Sequence, residues 1–154
     1  MLTNHWRSDM NFSTTLLRQI FLIVAILWGT SVSADSLSIM TFNVENLFDA
    51  RHDIEKDDRT YLPRELKTSA NHIESCHRIS VQRWRDQCLY WDWNDTIVDQ
   101  KLKVVAEVIK QVDGGRGPDI LALQEVENIS ILERLRAQHL AGLGYHHGTL
   151  LEGL

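Results

Sequence analysis

Apolar and polar positions fall along this chain in blocks that predict distinct elements. Leu37 to Val44 (LSIMTFNV) is apolar at nearly every position, the pattern of a strand covered on both faces. Asn46-Leu47-Phe48-Asp49 follows, and from Ala50 to about Asn71 the chain is charged and polar and contains Pro63, which predicts a loop or an insertion. Residues 76–95 then crowd Trp84, Tyr90, Trp91 and Trp93 into a polar segment. Local packing is the simpler reading of that crowding, and an aromatic surface that stacks on bases or sugars is the sharper one.

From Asp99 onward, Leu102, Val105, Ala106, Ile109 and Val112 fall on one helical stripe. Gly114-Gly115-Arg116-Gly117-Pro118 ends that helix. The glycines lack a Gly-Lys-Ser/Thr ending and follow a helix, which excludes a nucleotide-binding loop. Asp119 to Gln124 (DILALQ) predicts a second buried strand. Ser130-x-x-Glu133 matches a capping box and predicts a helix to about Ala141, closed by Gly142 and Gly144. Strand, insertion, helix, strand, helix is the order of an α/β layered fold.

Composition changes this picture only at the amino end. A hydrophobic fraction of 44% and a charged fraction of 24% over 154 residues fit one globular domain. Arg7 and Arg18, an apolar run from Ile20 to Trp28 and the small residues Gly29 to Ala34 are the three parts of a secretory signal, with a cut expected after Ala34. The run is too short to span a bilayer, so no stable membrane association is expected. A buried core helix and an uncleaved anchor remain as alternatives. Removing residues 1–34, which hold two Arg and one Asp, takes the net charge from −5 to −6. An acidic chain of this kind does not coat nucleic acid non-specifically.

Cys76 and Cys88 are the only cysteines. In an oxidising compartment, periplasmic or extracellular, such a pair predicts a disulfide. Free thiols remain open, as does a zinc site involving His77, although a four-ligand set is missing. The chemistry-bearing residues are polar groups placed where buried strands run out: Asn43 near the end of the first with Glu45 two residues on, and Glu125 immediately after the second. In open α/β sheets ligands gather there, and an amide oxygen with carboxylates suits Mg²⁺. A glutamate after a strand also serves as a helix N-terminal charge or a plain surface group.

Thr41-Phe42-Asn43-Val44-Glu45-Asn46-Leu47-Phe48-Asp49 and Pro118-Asp119-Ile120-Leu121-Ala122-Leu123-Gln124-Glu125-Val126-Glu127-Asn128 together resemble the endonuclease/exonuclease/phosphatase superfamily. That group includes secreted deoxyribonucleases, abasic-site endonucleases, bacterial sphingomyelinases and inositol-polyphosphate phosphatases. The resemblance implies the first half of a four-layer α/β sandwich, deoxyribonuclease-I-like, over residues 35–154, with an insertion at about 50–95. It makes Glu125 the principal Mg²⁺ ligand, with Mn²⁺ or Ca²⁺ as alternative ions. Asn43 becomes a neighbouring ligand or phosphate contact, and Glu45 a weaker one. Glu127 and Asn128 fall outside the shared core and are read as structural.

The implied reaction is attack of an activated water on a phosphodiester, with nucleic acid the favoured substrate and no protein partner inferred. The superfamily's later Asp-x-Asn and Ser-Asp-His motifs do not appear after Glu125. His146-His147 is placed as part of a strand rather than as a catalytic pair. The expectation is therefore a truncated domain whose isolated chain lacks the later catalytic groups. The alternative is an exported non-catalytic fragment or a binding module that uses the tryptophan-rich insertion.

Overall fold

The computed structural model describes residues 36–54 and 56–151. Strands β1 (Ile39–Leu47) and β2 (Ile120–Val126) pair in parallel, with Ile39 opposite Ile120 and Phe42 opposite Leu123. A parallel pair needs a long crossover. Here it carries α1 (Ala70–His77), α2 (Gln82–Tyr90) and α3 (Asp95–Lys110). After β2, α4 (Ile129–Arg134) runs into a π-helical turn over Leu135–His139. The fold is mixed α/β, with a two-stranded parallel sheet among the described residues. The predicted signal, residues 1–34, lies outside the described residues. No helix among them is long and apolar enough to cross a membrane.

Successive strand residues point to opposite faces. Met40, Phe42 and Val44 of β1, with Leu121 and Leu123 of β2, pack against the helices. There α3 supplies Val98, Leu102, Val105, Ala106 and Ile109, and the chain after β2 supplies Ile131, Leu135 and Leu140. The other face is open among the described residues, with Ile39 63% and Ile120 48% exposed. This corrects the expectation of a sheet covered on both sides. The apolar run at Leu37 to Val44 is real, but only its alternate members are buried.

Helix α3 starts at Asp95, four residues before the apolar stripe suggested. The reason is Asn94, whose side-chain oxygen accepts from the backbone N–H of Thr96 at 3.0 Å and of Ile97 at 3.2 Å. The stripe holds from Val98 to Ile109, but Val112 lies beyond the helix in a half-buried 3-10 turn. Gly117 follows at φ 73°, where an added Cβ would meet Leu143 and Tyr145 at 3.0 Å. That position needs glycine on both counts.

The capping box at Ser130 is replaced by a nearer cap. Asn128 accepts from Ile131 N–H at 3.0 Å, which starts α4 two residues earlier. Glu133 is held instead by Arg136 at 2.6 Å. The α-helix also ends sooner than expected, at Arg134, and residues 145–151 form no strand, so the strand expected at His146-His147 is absent.

The insertion is more ordered than a loop. Turns at Arg59–Tyr61 and Arg64–Lys67 lead into α1, capped by Ser69. A disulfide joins Cys76 in α1 to Cys88 in α2, with their Cα atoms 5.7 Å apart. Lys67 is buried beneath this hairpin and donates to the carbonyls of Thr60 at 2.7 Å and Trp91 at 2.8 Å. Burial lowers the Lys67 pKa to about 8, with Asp92 opposing the shift. Trp93 Nε1 donates to the Phe48 carbonyl at 3.1 Å, which pins the insertion to the end of β1.

Two outcomes test this packing in urea denaturation followed by tryptophan fluorescence. Leu102→Ala, at a fully buried position, should cost about 2–5 kcal/mol, whereas Val104→Ala on the exposed face should stay within about 0.5 kcal/mol. Replacing Cys76 and Cys88 together by Ser should cost about 3 kcal/mol, and an unchanged midpoint would leave the disulfide with no role in stability.

Candidate functional site

The two strands leave register at their carboxyl ends. Asn43 opposes Gln124 and the next pair is Leu47 with Val126, so Val44, Glu45 and Asn46 stand against Glu125 alone. The extra length is absorbed by left-handed backbone at Glu45 (φ 54°), Asn46 (φ 62°) and Glu125 (φ 63°). Each such residue costs roughly 1–3 kcal/mol and persists only where its surroundings fix it.

A closed set of hydrogen bonds does the fixing. Asn43 Nδ2 donates to Glu125 Oε1 at 2.8 Å, and Asn46 N–H donates to Glu125 Oε2 at 3.0 Å. Asn43 Oδ1 accepts from Glu45 N–H at 2.8 Å. Reversing the Asn43 amide would set oxygen against carboxylate and NH₂ against N–H, so its orientation is chemically determined. Lys101 on α3 donates to the Glu45 carbonyl and lies 5.7 Å above the Trp93 ring.

Asn43, Glu45 and Glu125, predicted from the strand ends, therefore meet at one place. Glu125 and Glu45 are exposed there. Each Glu125 oxygen accepts one bond that orients it, and a carboxylate oxygen has a further lone pair, the kind of donor that suits a hard cation. Asn43 turns its NH₂, not its oxygen, toward Glu125, which makes it an orienting group for that carboxylate. The sequence reading missed Tyr61 and Lys101. Burial raises the Tyr61 pKa, and the Glu125 charge raises it further. Burial lowers that of Lys101, while Glu45 and Glu125 oppose the shift.

Tyr61 belongs to an aromatic group that joins the insertion to the site. Its ring stacks on Phe48 at 4.1 Å and meets Trp93 edge-on at 5.3 Å, and Trp91 stacks on Trp93 at 6.2 Å. No signal in the sequence pairs residue 61 with residue 125. The one trio of His and Cys that converges as metal ligands would, among the described residues, is His72, Cys76 and Cys88. The disulfide engages both of its sulfurs.

Glu127 and Asn128, read as structural from the sequence, hold a second acidic group beside the first. Asp49 N–H donates to Glu127 Oε2 at 2.8 Å, and Asn128 Nδ2 reaches Asp49, Asp53 and Glu127. Asp58, 1% exposed, accepts from Asp53 N–H at 2.6 Å and pairs with His52 at 2.8 Å. Burial pushes the Glu127 pKa up to about 7; the Asp49 N–H opposes this and the charges of Asp49, Asp53 and Asp58 add to it. The alternation of acids in Glu125-Val126-Glu127, opposite Asp49 at the other strand's exit, was the available clue.

Comparison of the chain with protein-family models, curated proteins and solved structures finds no match.

The Glu127 shift sets a pH dependence. Its folded pKa of about 7 exceeds the ordinary 4.5, so between those values the native state binds more protons than the unfolded chain. The contribution is fully present below pH 4.5, is lost as pH rises through 7, and amounts to about 3 kcal/mol. Urea midpoints of the EDTA-treated protein at pH 5 and pH 8 should differ less in Glu127→Gln than in the wild type. An identical pH slope in both would remove Glu127 as its source.

Proposed function

We propose that this chain belongs to a Mg²⁺-dependent phosphodiesterase of the endonuclease/exonuclease/phosphatase superfamily, exported and acting most readily on nucleic acid. The observation that carries the reading is the Asn43–Glu125 hydrogen bond of 2.8 Å at the carboxyl end of a parallel strand pair. It joins the two motifs on which the resemblance rests, and strained backbone surrounds it. The Cys76–Cys88 disulfide accords with export. A four-layer sandwich and a cleaved signal at residues 1–34 belong to the same proposal.

In this reading Glu125 is the metal ligand, with Glu45 beside it. Glu125 and Glu45 would hold a Mg²⁺ there, and the chemistry it would supply is to offset charge on the phosphate oxygens of the substrate. Asn43 and Asn46 N–H hold the carboxylate in one orientation, so little reorganisation is needed when substrate arrives. Lys101 donates to the Glu45 carbonyl, and the Glu125 charge bears on the Tyr61 phenol. The water-activating groups that the superfamily places in later motifs are not among these residues, since no aspartate follows Glu125.

The second reading, a binding module, draws on Trp84 at 59% and Tyr90 at 60% exposure. Calorimetry with Mg²⁺ or Mn²⁺ separates the two, together with hydrolysis of bis(p-nitrophenyl) phosphate. Glu125→Gln should weaken metal binding by about tenfold or more, and in a protein that turns over should cut the rate by about a hundredfold or more. Metal affinity unchanged by this substitution would sink the phosphodiesterase reading. Saturable quenching of tryptophan by a ligand, with no hydrolysis, would favour the binding module.

A further inference from the structure

His72 holds a place in the insertion that the disulfide itself does not require. It stands four residues before Cys76 on α1, and residues four apart on a helix share one face, a turn from each other. Its Nε2 lies 3.3 Å from Cys76 Sγ and 3.2 Å from the carbonyl oxygen of Cys88, which belongs to the next helix, α2. Nε2 and the two sulfurs all fall within 4.8 Å of one another. Among the described residues no other group of His, Cys, Asp or Glu converges in this way. His77, the neighbour of Cys76 that the sequence suggested as a zinc ligand, is exposed and stands outside the group. Both cysteines are buried and His72 is half-buried, so the group is sheltered from bulk water.

We propose that in its thiol form, before an oxidant has removed two electrons and two protons to close the disulfide, this chain binds one Zn²⁺ through His72 Nε2, Cys76 Sγ and Cys88 Sγ. Thiolate and imidazole donors exclude Mg²⁺ and Ca²⁺, which take oxygen ligands. Charge then decides between the two metals that favour such donors, Zn²⁺ and Cu⁺. Two thiolates cancel Zn²⁺, whereas Cu⁺ would leave a net negative charge at buried Cys76 and Cys88. Loading forms two Zn–S bonds and one Zn–N bond. It releases the two thiol protons, and the His72 ring carries its own proton on Nδ1. Cα atoms 5.7 Å apart suit either closure, a sulfur–sulfur bond or an ion about 2.3 Å from each sulfur. Three protein ligands leave the fourth tetrahedral position to water. The α1–α2 hairpin is thereby stapled in both redox states. None of these three residues belongs to the Glu125 site.

The test reduces the full chain with a water-soluble phosphine, so that no added thiol competes for metal. The phosphine passes two electrons to the disulfide and takes the oxygen of one water, whose two protons complete the thiols. Co²⁺ is then titrated in under argon as a spectroscopic stand-in and displaced by Zn²⁺. One Co²⁺ per reduced chain is expected, with a thiolate-to-cobalt charge-transfer band that the oxidised chain lacks and that Zn²⁺ abolishes. The apparent Kd for Zn²⁺ should be about 10⁻⁷ M or tighter. His72→Asn should weaken Zn²⁺ binding by about tenfold or more, and His77→Asn should leave it unchanged. The far-UV spectrum of the oxidised His72→Asn chain, which keeps its disulfide, shows whether that variant folds. Should it not fold, the urea-unfolded reduced wild type decides, with binding at least about tenfold weaker than in the folded chain. Absence of the band in the reduced wild type overturns the proposal. So does an affinity unchanged by His72→Asn in a folded chain, one lost with His77→Asn instead, or one equally tight in urea.

Discussion

Three residues of β1 must be fitted against one residue of β2, and the site grows out of how that mismatch is absorbed. A regular strand cannot do it; the chain instead turns left-handed at Glu45, Asn46 and Glu125. Left-handed backbone is unfavourable for side chains with a Cβ, so the conformation has to be held by specific bonds. The Glu125 carboxylate supplies them by accepting from Asn43 and from Asn46 N–H. The carboxylate is thus both a structural clasp and the most available ligand at the sheet end. Removing its charge while keeping its shape separates those two roles, because Gln can still accept one of the two bonds.

Much of the fold was legible because it rests on periodic burial. The α3 stripe from Leu102 to Ile109, both strands and the Cys76–Cys88 pair all follow from spacing. What failed were boundaries decided by single side chains. Asn94 starts α3 before its stripe, and Asn128 outcompetes Ser130 because asparagine at the earlier position already satisfies a free N–H. The open face of the sheet failed for a different reason. Apolar content says what a strand can bury, and only its neighbours in space decide what it does bury.

The candidate site divides along the same line. Asn43, Glu45 and Glu125 were legible because each is a polar group where an apolar run reaches its end. Tyr61 was not, since its place follows from stacking on Phe48 and an edge-on contact with Trp93, contacts between segments apart in the chain. The insertion first read as self-packed does pack on itself. It also carries Trp93, which donates to the Phe48 carbonyl, meets Tyr61 edge-on and lies under Lys101 of α3. The ring contacts that stabilise the insertion also tie it to the end of β1, next to which Glu45 and Glu125 stand.

The electrostatics of this end of the sheet follow from the kind of donor used. Glu125, Glu127, Asp49 and Asp58 each accept from a backbone N–H, of Asn46, Asp49, Arg51 and Asp53 respectively. A backbone N–H orients a carboxylate without cancelling its charge, whereas an Arg or Lys partner would neutralise it. The field here is therefore set mainly by carboxylates, with His52 paired to Asp58 and Lys101 at the Glu45 carbonyl as basic neighbours, on a chain that carries a net charge of −5. Such a field repels a phosphodiester and attracts hard cations. Under the proposed phosphodiesterase reading, bound cations have to offset this charge before phosphate arrives, and the acids around Glu127 add to the attraction for them. Metal loading and substrate binding should accordingly be coupled in order, cation before phosphate.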